Sequence, residues 1–323
     1  MIAAVIVIIL LVAYLLVNNR YKRSNAYKNQ QIELQNYRNG VPEHIKYASF
    51  GSTYGFYAFD RMSDMVPDSF NFCLPGESLE GDRLLVNHYI NHLEEGATVF
   101  LNLAACVPFF RYSMSHNEAD YYKLLPLSDI PNHSPLKAFK YYLVIRPNKH
   151  GIKNCIRAFI DTPVIKRLSE RYPEYYNLDF AEKQMKGMAD GWINLVHLND
   201  LKRKTENKEN DRNLEYNTRV LLDICTKLKQ RKAKVYFVIP PFSRILNQYF
   251  GDEFITSGLY KMIGSIPKEL YQEVLDLRKG TDYQNDFSCF YDGGFRLSKR
   301  GSQKFLKQIF MRLSDGIDRK DKK

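Results

Sequence analysis

Five short apolar runs constrain this chain more than anything else in it. They are IKYASFG from Ile45, FNFC at 70–73, TVFLNL at 98–103, KVYFVIP at 234–240 and EVLDL at 273–277. Each has strand length, and their mostly continuous apolar character suits strands covered on both faces. Helical stripes lie between some of them. In 79–95, Leu79, Val86, Ile90 and Leu93 share one face; in 213–231, Leu214, Leu221, Ile224, Cys225 and Leu228 do the same. Apolar strands alternating with amphipathic helices predict a parallel sheet layered between helices, an α/β sandwich. With 323 residues the chain is long enough to bury a substantial core.

The N-terminus reads differently. MIAAVIVIILLVAYLLV, residues 1–17, carries no charged side chain. As a helix it would span roughly 25 Å, the short end for a bilayer. A cleaved signal would want a basic start and small residues at a cleavage site. Instead Asn18, Asn19, Arg20, Tyr21, Lys22 and Arg23 follow at once. The expectation is an uncleaved single-pass anchor at 1–17, with the lipid bilayer as its partner. A polar stalk at 18–42 and a main domain at 43–315 follow. Residues 107–200, rich in Tyr and Pro, read as a helical insertion in that domain. LKRKTENKENDRN (201–213) reads as a solvated loop or exposed helix start, and 316–323 as a charged tail.

Composition narrows the function classes. The net charge of +11 would favour anionic lipid or acidic polymers. No zinc-finger spacing, aromatic RNA-binding motif or basic recognition helix accompanies it, so nucleic acid is not an expected partner. The five cysteines, Cys73, Cys106, Cys155, Cys225 and Cys289, are odd in number and scattered, which reads as reduced thiols. His88 and His92 stand four apart, a metal-ligand spacing with no third ligand in sight; a polar helix face is the expectation, with no metal and no cofactor.

In a parallel sheet, ligands gather beyond the carboxyl ends of the strands. Ser52 falls there after the first run, Gly76 after the second, Asn102 at the end of the third, and Asp292 in a loop after the fifth. KYASFGSTYGFYAFD, FNFCLPGESLEGDRLLVNHYINHLEEGATVFLNL, LLDICTKLKQRKAKVYFVIPPFSR and FSCFYDGGFRLSKRGSQKF succeed one another. In order and spacing they resemble blocks of the SGNH/GDSL hydrolases, in particular the membrane-anchored type associated with bacterial cell-surface polysaccharide modification. The resemblance covers about 45–103 and 214–313. It implies a three-layer α/β/α sandwich of flavodoxin-like strand order and an extracytoplasmic domain at the cell membrane. The basic flank Arg20, Lys22 and Arg23 argues the opposite orientation.

The resemblance also implies roles. Ser52 would be the nucleophile and Asp292 the acid that orients its base. The N–H groups of Ser52 and Gly76, with Asn102, would form the oxyanion hole. The histidine slot is where the chain departs from the pattern. Counted from Asp292 it falls on Phe295, and counted back from Leu297 it falls on Arg296. Neither takes a proton from serine near neutral pH, since arginine stays protonated. No histidine lies after residue 197; a substitute base would have to come from elsewhere, with His116 as a candidate. The expected function is therefore an SGNH-type serine esterase or O-acyltransferase-like protein acting on a cell-surface glycan or acyl donor, weakened or inactive. The alternative is a non-catalytic glycan-binding or scaffold protein of the same system.

Overall fold

A computed structural model describes residues 2–111, 117–145, 149–168, 178–197, 199, 207–278 and 281–320. The chain divides into two compact units, one from residues 1–38 with 118–171, the other from 39–117 with 172–323.

The larger unit is built on five parallel strands: β1 (Ile45–Gly51), β2 (Ser69–Asn71), β3 (Leu93–Asn102), β4 (Lys234–Ile239) and β5 (Glu273–Asp276). Their order is β2-β1-β3-β4-β5, with every pairing parallel. This is the flavodoxin-like order, and all five strands sit on the runs read from sequence. Side chains alternate across the sheet. On one face Phe100 and Val238 meet Phe305, Leu306 and Ile309 of the helix Lys299–Lys320. On the other, Phe50 stacks on Phe72 at 4.6 Å, and Phe72 packs on Tyr89 of the helix Leu79–Tyr89.

Caps set the helix starts. The Ser78 hydroxyl accepts the Gly81 N–H, and the Asn207 side chain accepts the N–H groups of Glu209 and Asn210. The charged run at 201–213 is therefore a helix start from 208 onward, while 201–206 lie outside the described residues. The apolar stripe at 79–95 is shorter as a helix than its spacing predicts. The helix ends at Tyr89, a tight 3-10 turn covers Ile90–His92, and β3 begins at Leu93. Pairing of Ile45 with Leu93 captures for the sheet what helical periodicity claimed. At the other end, the helix Lys299–Lys320 runs on into the segment read as a charged tail.

The smaller unit holds the helix Ile2–Arg23, whose mean hydropathy reaches 2.6. Among the described residues this is the one helix long and apolar enough to cross a membrane. Residues 18–38 of the expected stalk are structured. After Arg23 come the helix Asn25–Gln30 and the 3-10 segment Ile32–Asn39. Asn18 is wholly buried, and its side-chain oxygen accepts the N–H groups of Val144 (2.9 Å) and Ile145 (3.2 Å). The Gln35 side chain accepts the Leu168 N–H. The expected insertion at 107–200 is divided: 118–171 belong with the N-terminal residues, and 172–200 with the sheet.

Two glycines test this packing. A Cβ on Gly301 would lie 2.1 Å from the Cys289 carbonyl oxygen, while one on Gly187 meets nothing within 4 Å. Gly301→Ala should cost about 2 kcal/mol or more through forced backbone displacement. Gly187→Ala, in an exposed helix turn, should stabilise by roughly 0.5–1 kcal/mol. Urea denaturation of both variants beside the native protein checks the opposite signs.

Candidate active site

The site grows from the end of β1. Gly51 pairs with Asn102 of β3 and has φ +135°. A Cβ there would stand 2.7 Å from both Cβ and O of Asn102, so only glycine fits. The chain then turns into the short helix Thr53–Ala58, with Ser52 at its cap position in extended conformation (φ −93°, ψ −157°). A serine there ordinarily caps the first turn. Here the hydroxyl makes no capping bond, and Ser52 is half-buried at the wall of a cleft of about 90 Å³. Thr53, Tyr54, Gly76, Glu77, Cys106, Val107, Phe110 and Trp192 complete the lining.

The structure brings Ser52 and Gly76 together on that cleft. Their neighbours already hold part of the expected machinery. The Gly76 N–H donates to the Thr53 hydroxyl at 3.0 Å, so an oxyanion would have to compete for it. Asn102 is buried behind Gly51 and Gly55, and its amide donates to the Phe50 carbonyl at 2.9 Å. That bond serves β1, and it directs the amide away from the role the resemblance implies.

Asp292 belongs to a tight loop closed by the antiparallel bridge Phe290–Leu297 and by the Tyr291 N–H on the Arg296 carbonyl at 3.1 Å. Its Oδ1 accepts three N–H groups of the same loop, from Gly294 (2.9 Å), Phe295 (3.1 Å) and Arg296 (3.1 Å). Its Oδ2 faces Arg296 Nε at 3.7 Å. Burial pushes the Asp292 carboxyl above the ordinary aspartate range; the three N–H groups and the Arg296 charge oppose that push. Oδ1 is thus committed to its own loop, while Oδ2 is buried beside the guanidinium charge without a hydrogen bond.

The two residues of the histidine slot part company. Phe295 is buried, its ring 4.5 Å from Tyr54 and 5.2 Å from Trp192. Arg296 is over a third exposed and lies beside the rings of Tyr57 and Phe295. Asp292, Phe295 and Arg296 are outside the cleft lining, connected to it through the rings of Tyr54 and Trp192. Tyr54 ties the two parts electrostatically. Its hydroxyl is buried without a hydrogen-bond partner, and burial first, with Cys106 and Asp292 nearby, holds it well above the ordinary tyrosine range. His88 and His92 both set their rings against Tyr89, and His92 Nδ1 lies 2.8 Å from the Pro42 carbonyl. His116 lies outside the described residues.

Sequence reasoning missed a buried acid pair. Asp82 is pushed well above the ordinary aspartate range by burial and by Glu77, against the Gly51 N–H that stabilises its charge. Glu77 lines the cleft and accepts the Ser78 N–H at 2.9 Å and the Asn117 amide at 3.3 Å. Glu77 falls with Gly76 at the end of the second strand, but in PGESLEGD Asp82 reads as an ordinary first-turn charge of a capped helix. Thr53 and Trp192 were missed as well; neither has a periodicity that marks it.

No protein-family model matches the chain, and no curated protein matches it.

Two outcomes follow. Asp292→Ala strands three loop N–H groups and the Arg296 charge, and should cost about 3 kcal/mol or more, whereas Ser52→Ala should stay within about 0.5 kcal/mol. Chemical denaturation separates them. The second concerns pH. A raised folded-state pKa means that the folded protein holds the Asp82 proton more tightly than the unfolded chain does. Stability is therefore present at low pH and is lost as pH rises from the ordinary aspartate range towards the folded value. Asp82→Asn lacks this loss while keeping an acceptor for Gly51. The variant's stability relative to the native protein should grow from pH 4 to pH 8; a constant difference contradicts the assignment.

Proposed function

We propose that this chain is a membrane-tethered protein of the SGNH-like type that binds an acyl-substituted cell-surface glycan without hydrolysing it. The observation that carries the reading is the setting of Asp292: its Oδ1 is taken by three N–H groups of its own loop, and the group facing its Oδ2 is the Arg296 guanidinium, not an imidazole. Such a carboxylate has no imidazole to orient, because Phe295 is packed into the aromatic cluster and Arg296 remains protonated. The size of the cleft supports an acyl-sized ligand: 90 Å³ is far below the roughly 300–1,000 Å³ of pockets that enclose whole small molecules. Val107, Phe110 and Trp192 offer apolar contact to a short acyl group, with the sugar outside. In this reading the domain faces out of the cell. The charges of Arg20, Lys22 and Arg23 argue the opposite orientation, and protease access to the domain in intact cells decides between the two.

One observation favours a second reading, an active esterase or acyltransferase: the Ser52 hydroxyl is left uncapped at the cleft wall. The experiment separates the two. Full-length protein in detergent is titrated with O-acetylated and with deacetylated xylo-oligosaccharide by calorimetry, and released acetate is followed in parallel. The proposal expects acetyl-dependent binding that Val107→Trp abolishes by filling the cleft, and no acetate release above the Ser52→Ala background. Release that Ser52→Ala abolishes establishes the enzyme instead. Equal or absent binding of both oligosaccharides removes the acyl-reader function.

A further inference from the structure

The smaller unit carries an inverted amphipathic pattern. Soluble helices turn an apolar stripe inward and polar residues outward. The helix Lys149–Arg157 does the reverse. It buries Gly151 and Asn154, while Ile152 is 67% exposed and Ile156 57% exposed. Phe159 and Ile160, just beyond it, are also exposed. The helix Pro135–Tyr142 likewise presents Leu136 (78% exposed), Phe139 and Tyr142 at helical spacing.

Both segments are fixed to one level of the apolar helix Ile2–Arg23. That helix is exposed along 2–13 and first meets its unit at Tyr14. The Tyr14 hydroxyl donates to the Ile145 carbonyl, and Asn18 accepts the N–H groups of Val144 and Ile145. Arg20 donates to the Ala158 carbonyl at 3.2 Å and lies over the Phe159 ring. Lys22 lies 3.9 Å from the centre of the Tyr142 ring. At the α-helical rise, Tyr14 to Lys22 covers about 12 Å, the depth of an interfacial layer rather than of a hydrocarbon core. The uncharged residues before it, 2–13, cover about 18 Å and enter that core.

We propose that the helices Pro135–Tyr142 and Lys149–Arg157 form a collar in the membrane interface around the anchor. Their exposed apolar residues enter the acyl boundary of the bilayer that the anchor enters. Lys140, Lys153 and Arg157, all exposed, reach its headgroup phosphates. The chemistry fits: amphipathic helices with aromatic and aliphatic residues on one face and basic residues beside it lie in the interface plane. Charge fits as well. Glu118 is paired with Lys137 at 2.7 Å and Asp120 with Lys123 at 2.6 Å; Asp161 accepts from the Asn25 amide, and Lys140, Lys153 and Arg157 outnumber it, which leaves the collar basic towards anionic lipid. A second copy of the chain is the poorer occupant, because a two-fold interface would set Lys153 and Arg157 against their own kind.

The collar rests on the anchor reading, and the test separates the two. Full-length protein is reconstituted into phosphatidylcholine–phosphatidylglycerol vesicles whose acyl chains carry bromine at a shallow or a deep position. Ile9→Trp reports the core, and Leu136→Trp and Ile152→Trp report the collar, each read against the native emission of Trp192. The expected result is quenching of Ile9→Trp mainly by deep bromine, and of Leu136→Trp and Ile152→Trp mainly by shallow bromine, with a blue shift. Quenching at position 9 with none at 136 and 152 overturns the collar and keeps the anchor. Quenching at none of the three overturns both. Blue-shifted, unquenched collar tryptophans that cross-link between copies assign the face to self-association and overturn the proposal.

Discussion

The larger unit depends on the close approach of β1 and β3 at their carboxyl ends. Gly51 meets Asn102 with no room for a side chain, and Gly55, one turn later, would bring a Cβ to 2.6 Å from Cys73 Sγ and 2.7 Å from Asn102 Cγ. Two glycines thus pin the Ser52 turn onto the sheet from both sides. Asn102 completes the clamp by donating to the Phe50 carbonyl. Crowding at backbone level, not a flexible loop, fixes where Ser52 stands. The same crowding turns Asn102 into a structural residue, because its amide nitrogen donates to the Phe50 carbonyl and to Cys73 Sγ rather than to the cleft.

A second constraint acts in the loop after β5. A buried carboxylate needs partners, and Asp292 finds them for Oδ1 in its own backbone, with only the Arg296 charge, 3.7 Å away, facing Oδ2. The loop closes on itself through the Phe290–Leu297 bridge, which turns Phe295 onto Tyr54 and Trp192. The position that could have carried a base is part of the aromatic packing behind the cleft. Ser52 stands at the wall of a cleft, and Asp292 lies outside its lining in a loop that its own hydrogen bonds hold together.

Much of this was legible in the sequence, for physical reasons that differ by element. The five strands were, because a strand covered on both faces has to be apolar almost throughout. The parallel order also put Ser52 and Gly76 beyond strand ends, where the structure brings them together on one cleft. The 79–95 stripe misled because Ile90 and Leu93 keep helical spacing across a turn whose far side is claimed by β1, a long-range pairing no local period contains. Residues 18–38 read as a stalk because they are polar, yet Asn18 and Gln35 are buried acceptors for N–H groups more than a hundred residues away. Thr53 was missed for the same reason: its hydroxyl serves Gly76, whose position depends on the whole first crossover.

The central claim is that Ser52 sits in a nucleophile's position without being activated, and reactivity towards a fluorophosphonate tests it most directly. An activated serine displaces fluoride from such a probe, whereas an ordinary hydroxyl does not. Mass spectrometry of the full-length protein after exposure should find Ser52 unmodified. A stoichiometric phosphonyl adduct on Ser52, formed by the native protein and lost in Asp292→Asn, would contradict the account.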